Sequence, residues 1–196
     1  MIEEILPSIR KAFLKEDRLF QKKIKSSIHT DFYEDDTKGI SSYILTERTL
    51  QYIIFRELCK DYKIFPEDLA YGNSNERLDL SIYKNTKDSG KFAEIGVELK
   101  QVSFTNEGRL YQKSLNNLIS DFDKIKRAGN KNKYILFFGL YHKKSIDFDS
   151  FNEFLISAID NRKFKKFRLE LINQIYFKTD GYKEKKYYLI NLLKLK

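Results

Sequence analysis

The sequence predicts an α/β protein with a mixed central β-sheet flanked by helices. Three observations carry this. Apolar and polar residues alternate in RLDLSIYK (77–84) and KFAEIGVELKQV (91–102), as they do on a pleated strand. YILFFGLYH (134–142) is an apolar run suited to a buried central strand. The segments around them repeat apolar residues at helical steps. With 196 residues, 41% of them hydrophobic, and only 8 Gly and 2 Pro, the chain fits one domain spanning 1–196.

Residues 2–28 place Ile2, Ile5, Leu6, Ile9, Phe13, Phe20, Ile24 and Ile28 mostly three or four apart, one stripe on a helix. Pro7 falls in its first turns, where a missing amide is best tolerated. The polar stretch 29–42, with Gly39, reads as a connection. A second helix runs from about 46 to 62 with Thr46 as its N-cap. KIFPEDLAYGNSN (63–75) is a loop with room for a short strand.

The strand at 77–84 sets Leu78, Leu80 and Ile82 against Asp79, Ser81 and Tyr83. After the polar turn NTKDSG (85–90), the next strand sets Ala93, Ile95, Val97 and Leu99 against Glu94, Gly96, Glu98 and Lys100. The two form a hairpin; a turn centred on 87 and 88 pairs Asp79 with Gly96. Leu110, Leu115, Leu118, Ile119, Phe122 and Ile125 then mark a helix within 109–128. A helix near 149–161 follows the apolar strand, and residues 167–196 read as two strands around the TDG turn (179–181), with a final short helix as the alternative.

Composition removes several classes of function. No apolar run reaches the roughly 18 residues that a membrane-spanning helix needs, and the N-terminus lacks the pattern of a secretory signal. A cytoplasmic protein is expected. One cysteine, Cys59, and two histidines, His29 and His142, are too few for a disulfide or a zinc finger. Cys59, in FRELCK, is expected in the core. The net charge of +9 and a pI near 9.3 favour a polyanionic partner, nucleic acid first, although a Lys-rich composition would also follow from an AT-rich genome. Clustering tilts the balance: KKIK (22–25), KIKRAGNKNK (124–133), RKFKKFR (162–168) and KEKK (183–186) suggest basic patches.

Gly90-Lys91 is no phosphate loop, because Asn85 and Phe92 stand where it needs Gly and Ser or Thr. Dinucleotide fingerprints, nucleophile elbows and EF-hand loops are likewise missing from the sequence. Carboxylates and lysines remain. A metal-dependent phosphodiesterase needs carboxylates converging on Mg²⁺ and a cation beside the attacking water. An acid and a lysine two apart on a strand share a face, so D/E-x-K supplies half of that set.

Spacing alone is uninformative. With 28 acidic residues and 28 lysines in the chain, chance gives about 4 such triplets under that period-two rule. Four occur, beginning at Asp36, Asp61, Glu98 and Glu184. Only Glu98-Leu99-Lys100 lies in an apolar-bounded strand, and the hairpin puts Asp79 on the same face. Outward polar positions of an amphipathic hairpin would look alike. Glu47 adds independent support: it falls on the side of Leu50, Ile54 and Leu58, and a carboxylate there needs a partner. A role in the first helical turn beside Thr46 is its alternative reading. Glu57 and Glu94 are reserve candidates.

An early helix with an acid (TERTLQYIIFREL), a strand with Asp (RLDLSIY), a strand with E-x-K (VELKQ), a helix and another apolar strand together resemble the PD-(D/E)XK nuclease superfamily. The resemblance covers 45–142, leaving 1–44 as an N-terminal helical extension and 143–196 as a C-terminal one. The proline of the superfamily's name is missing, since Leu78 precedes Asp79. It implies a restriction-endonuclease-like core of order αβββαβ with a C-terminal β/α extension. It also implies that Asp79 and Glu98 bind Mg²⁺, or Mn²⁺ as a substitute, with the Leu99 carbonyl as a further ligand. Lys100 would position the attacking water and stabilise developing charge. Glu47 would hold a second metal or orient water, and Gln101 would touch phosphate, although strand parity turns it away.

The expectation is a Mg²⁺-dependent endonuclease on double-stranded DNA, a type II restriction enzyme acting as a homodimer. Its alternatives are a structure-specific repair or junction-resolving nuclease and a non-catalytic basic nucleic-acid-binding or assembly module.

Overall fold

The computed structural model describes residues 2–25, 46–69, 71, 76–83, 93–104, 110–142, 167–178 and 186–196. Three helices and six strands are named in chain order: α1 (Ile2–Lys25), α2 (Glu47–Leu58), β1 (Lys63–Asp68), β2 (Leu78–Tyr83), β3 (Ile95–Gln101), α3 (Gln112–Lys126), β4 (Asn132–His142), β5 (Leu169–Lys178) and β6 (Lys186–Leu195). The strands form one mixed sheet in the order β1-β2-β3-β4-β6-β5. All neighbours are antiparallel except β3 and β4. A parallel pair cannot be closed by a tight turn, and α3 supplies the crossover between them.

Alternation in the strands sorts the apolar residues into two cores. On one face Leu80, Ile82, Ile95, Val97, Leu99, Leu136 and Ile190 meet Leu6, Ile9 and Phe13 of α1 and Leu50, Ile53 and Ile54 of α2. On the other, Ile135, Phe137, Leu189 and Leu193 meet Leu118, Phe122 and Ile125 of α3. The sheet is thus flanked by helices on both faces, as the patterning predicts. Among the described residues no helix is long and apolar enough to cross a membrane.

The helices begin where the sequence places them. Pro7 lies inside the first turns of α1. The Thr46 side chain accepts from the Thr49 amide at 3.2 Å, satisfying one of the orphan donors at the N-terminus of α2. That helix ends at Leu58 rather than 62, at the last residue of its apolar stripe; Cys59 is its C-cap. Cys59 is exposed there, its thiol 3.4 Å from the Arg56 carbonyl, which corrects the expectation of a core cysteine. KIFPED is a full strand. As an edge strand it tolerates Pro66, whose nitrogen has no hydrogen to donate to a ladder.

The hairpin register differs from expectation by two residues. Ser81, not Asp79, pairs with Gly96, and Leu80 pairs with Val97. Because side chains alternate with period two, this shift leaves every residue on its expected face. The last segment forms β5 and β6, paired antiparallel, so the strand reading holds over the final helix. The expected connection at 29–42, the turns at 85–90 and 179–181, and the helix near 149–161 lie outside the described residues, as does His29.

Candidate active site

The site forms where β2 and β3 part. The ladder reaches Leu80 and Val97; one residue further, a side chain replaces the backbone bond. Asp79 Oδ2 accepts the Leu99 amide at 2.7 Å. From α2, Gln51 Nε2 holds the Asp79 carbonyl at 2.7 Å and Glu67 Oε1 at 3.0 Å. Glu67 is itself in the left-handed region, φ 55°, a conformation costing a non-glycine residue about 1–2 kcal/mol. Gln51 and Arg77, whose Nη1 donates to the Glu67 carbonyl at 3.0 Å, brace that turn of backbone beside Asp79.

Glu98 and Lys100 leave β3 on the face covered by α3. The Glu98 carboxyl is hydrogen-bonded to Asp79 and only 3% exposed. Its Oε1 also receives Lys124 Nζ at 2.8 Å and the Tyr71 hydroxyl at 2.5 Å. Lys100 Nζ sits between two carboxylates, Glu47 Oε1 at 3.2 Å and Asp121 Oδ2 at 3.1 Å. Glu47 reaches this point from the first turn of α2 and also accepts the Gln101 amide at 2.9 Å. Gly96, on the same face, is required by packing: a Cβ there would lie 2.6 Å from Asn130 Oδ1 and 2.8 Å from Leu78 Cδ2.

Burial and like charge set the protonation of this corner. Burial pushes the Glu98 carboxyl up to about 8, and the neighbouring Asp79 charge adds to the shift; Lys124 and Tyr71 oppose it. Asp79 is also raised, by burial, against the opposing pull of the Leu99 amide and Glu98. Burial raises Asp121 too, with Lys100 opposing. For Lys100, burial works to lower the pKa, but Asp121 and Glu47 outweigh it and hold the ammonium above its ordinary value. Tyr71 is raised by burial and by Glu98.

Four carboxylates, Asp79, Glu98, Glu47 and Asp121, therefore share this corner with two ammonium groups, Lys100 and Lys124. The formal surplus of two negative charges is what a divalent cation would balance. Oxygen donors suit Mg²⁺, which is held by one or two carboxylates and keeps several waters. Among the described residues no three His, Cys, Asp or Glu side chains gather into an all-protein cage. The adjacent Asp79 and Glu98 carboxyls are the pair that fits such a partly hydrated ion.

The residues expected from sequence divide cleanly. Asp79, Glu98, Lys100 and Glu47 come together, and the Leu99 amide, rather than its carbonyl, is the atom seen engaged, with Asp79. Glu57 stays apart, paired with Arg56 and Lys60 on α2. Glu94 precedes β3, about 20 Å along the strand from Lys100. Gln101 is exposed and contributes its backbone amide. Sequence reasoning missed Asp121, Lys124, Tyr71 and Gln51. Asp121 carried a readable signal: Ser114, Leu118, Asp121 and Ile125 follow a heptad-like stripe, and a carboxylate on that stripe needs a partner. Lys124 begins the basic cluster 124–133, whose members are partly spent inside the fold: Lys124 on Glu98, Arg127 on Glu76 at 3.0 Å, and Lys133 on the Lys126 carbonyl at 2.7 Å. Comparison with known proteins finds no matching family model, no matching curated protein and no matching solved structure, so this geometry stands without a relative beside it.

Proposed function

We propose that the protein is a Mg²⁺-dependent DNA endonuclease of the PD-(D/E)XK superfamily, a type II restriction enzyme that hydrolyses phosphodiester bonds in double-stranded DNA. The observation that carries this reading is the contact between the Asp79 and Glu98 carboxyls at the parting of β2 and β3, with Lys100 two residues further on the same face. The element order α2-β1-β2-β3-α3-β4 agrees with the αβββαβ core that the sequence resemblance implies. The net charge of +9 supports a polyanionic substrate.

Bound Mg²⁺ would polarise the phosphate and lower the pKa of a bound water toward neutrality. The protein's own part is positional. Asp79, fixed by the Leu99 amide, and Glu98 would hold the ion. Lys100, kept charged by Glu47 and Asp121, supplies positive potential beside the place where charge develops. Glu47 ties the first turn of α2 to the end of β3, so that helix and strand keep one geometry. One such site cuts one strand, and symmetric cleavage of a duplex calls for a homodimer.

The test is incubation of plasmid and genomic DNA with the protein in Mg²⁺, in EDTA, and as Asp79→Ala. Discrete fragments that vanish in EDTA and in the variant support a site-specific nuclease. Nicks or smears move the reading to a repair or junction-resolving enzyme. No cleavage, with no Mg²⁺ uptake in calorimetry, leaves a basic nucleic-acid-binding module.

A further inference from the structure

The E-x-K lysine is the one that sequence singles out, yet it is the more confined of the two lysines in the site. Lys100 Nζ lies between Glu47 Oε1 and Asp121 Oδ2, at 3.2 and 3.1 Å, and its side chain is 18% exposed. To meet a phosphate it would have to give up two carboxylates in a half-buried place, where opposite charges attract strongly. Both partners are themselves held: Glu47 by the Gln101 amide, Asp121 by its position on α3.

Lys124 is placed differently. Its Nζ touches one carboxylate, Glu98 Oε1 at 2.8 Å, and one neutral acceptor, the Arg77 carbonyl at 2.7 Å. It lies 5.4 Å from the centre of the Tyr71 ring. An ammonium has three N–H donors, so one remains to be used, on a side chain that is 22% exposed. The Glu98 oxygen that it contacts belongs to the carboxylate that would hold the metal. A divalent cation on Glu98 would cancel the attraction that holds Lys124 there and repel its ammonium. The Arg77 carbonyl and the Tyr71 ring would keep the lysine beside the site, and a phosphate bound to the same cation would be its nearest anion.

We propose that Lys124 is a catalytic residue of this site: it covers the Glu98 carboxylate at rest and, once a divalent cation takes that carboxylate, contacts the scissile phosphate of DNA, while Lys100 serves as a positioning residue between α2, β3 and α3. This rests on the nuclease reading. The role is electrostatic; no bond forms to the lysine. Arg127, three residues on, does not share it, because its guanidinium is paired with Glu76.

Two readouts on the full-length protein test it. Calorimetry with Ca²⁺, used as a divalent probe, should show Lys124→Ala binding the ion several-fold more tightly than wild type, since a competing ammonium is gone. Single-turnover cleavage of plasmid in Mg²⁺ should fall about 10²-fold or more in the same variant, the loss typical of one electrostatic donor. Lys124→Arg, which keeps the charge, should recover part of that rate, and Lys124→Gln should not. Circular dichroism melts of all three variants exclude unfolding as the cause. A wild type that cuts while Lys124→Ala cuts equally well overturns the proposal alone. A parallel fall in ion affinity and rate also overturns it, because the lysine would then only support the site's structure. A wild type that cuts no DNA overturns the nuclease reading and this proposal together.

Discussion

The two faces of β3 are equally buried and differently made. Val97 and Leu99 point toward α1 and α2 and are 3% and 1% exposed; Glu98, between them, points toward α3 and is 2% exposed. On the first face neighbours are apolar and interchangeable, so burial is favourable in proportion to area. On the second, every group has a specified partner: Asp79 and Lys124 for Glu98, Glu47 and Asp121 for Lys100. Burying charge is costly unless it is paired. One face of a strand therefore carries the stability of the domain, and the other spends stability on a defined arrangement of charge.

This division can be broken by experiment. Asp79→Asn keeps an acceptor for the Leu99 amide and removes the charge; it should reduce Mg²⁺-dependent cleavage by about 10³-fold while the urea midpoint holds or rises. Leu80→Ala, at a fully buried position of the apolar face, should lose about 2–5 kcal/mol of stability, with the cleavage rate per folded molecule unchanged. If Leu80→Ala abolished cleavage in protein that remained folded, the division between the faces would be wrong.

A third experiment reads the cost of the charged face directly. Glu98 titrates near 8 in the fold, above the ordinary carboxylate range of the unfolded chain. Between those values the folded protein retains a proton that the unfolded chain has lost, and stability falls as pH rises through the window. In EDTA, urea denaturation should show a decline of about 2–4 kcal/mol between about pH 5 and pH 8. Glu98→Gln should flatten that slope, and a slope unchanged in the variant would assign it to another group. The smallest effect belongs to Thr46→Ala, which removes the cap of α2 and should cost about 1 kcal/mol in a thermal melt.

Period-two alternation made the faces of β2 and β3 legible in the sequence, and through them Asp79, Glu98 and Lys100. It survived a two-residue error in the hairpin register because only an odd slip changes faces. Glu47 was legible as a carboxylate on an apolar stripe. Asp121 was equally legible by that reasoning and was passed over because the helix was read for its apolar residues alone. Lys124 stood in a run of basic residues and looked like surface charge; its burial against Glu98 depends on α3 crossing over β3, which no local pattern reports. Tyr71 and Gln51 act across long separations, 27 residues to Glu98 and 28 to Asp79, and spacing along the chain is silent on such contacts.

The amides of Leu99 and Gln101 face the same edge of β3, the one that β2 has left, and each is taken by a carboxylate: Asp79 for the first, Glu47 for the second. An unpaired strand edge is a template for another chain's strand, and open edges of this kind seed aggregation. Here the two donors that a foreign strand would use are already occupied by negative charge. The carboxylates that assemble the candidate site also close the sheet to intermolecular growth, and the protein can leave a gap between two strands without leaving an adhesive one.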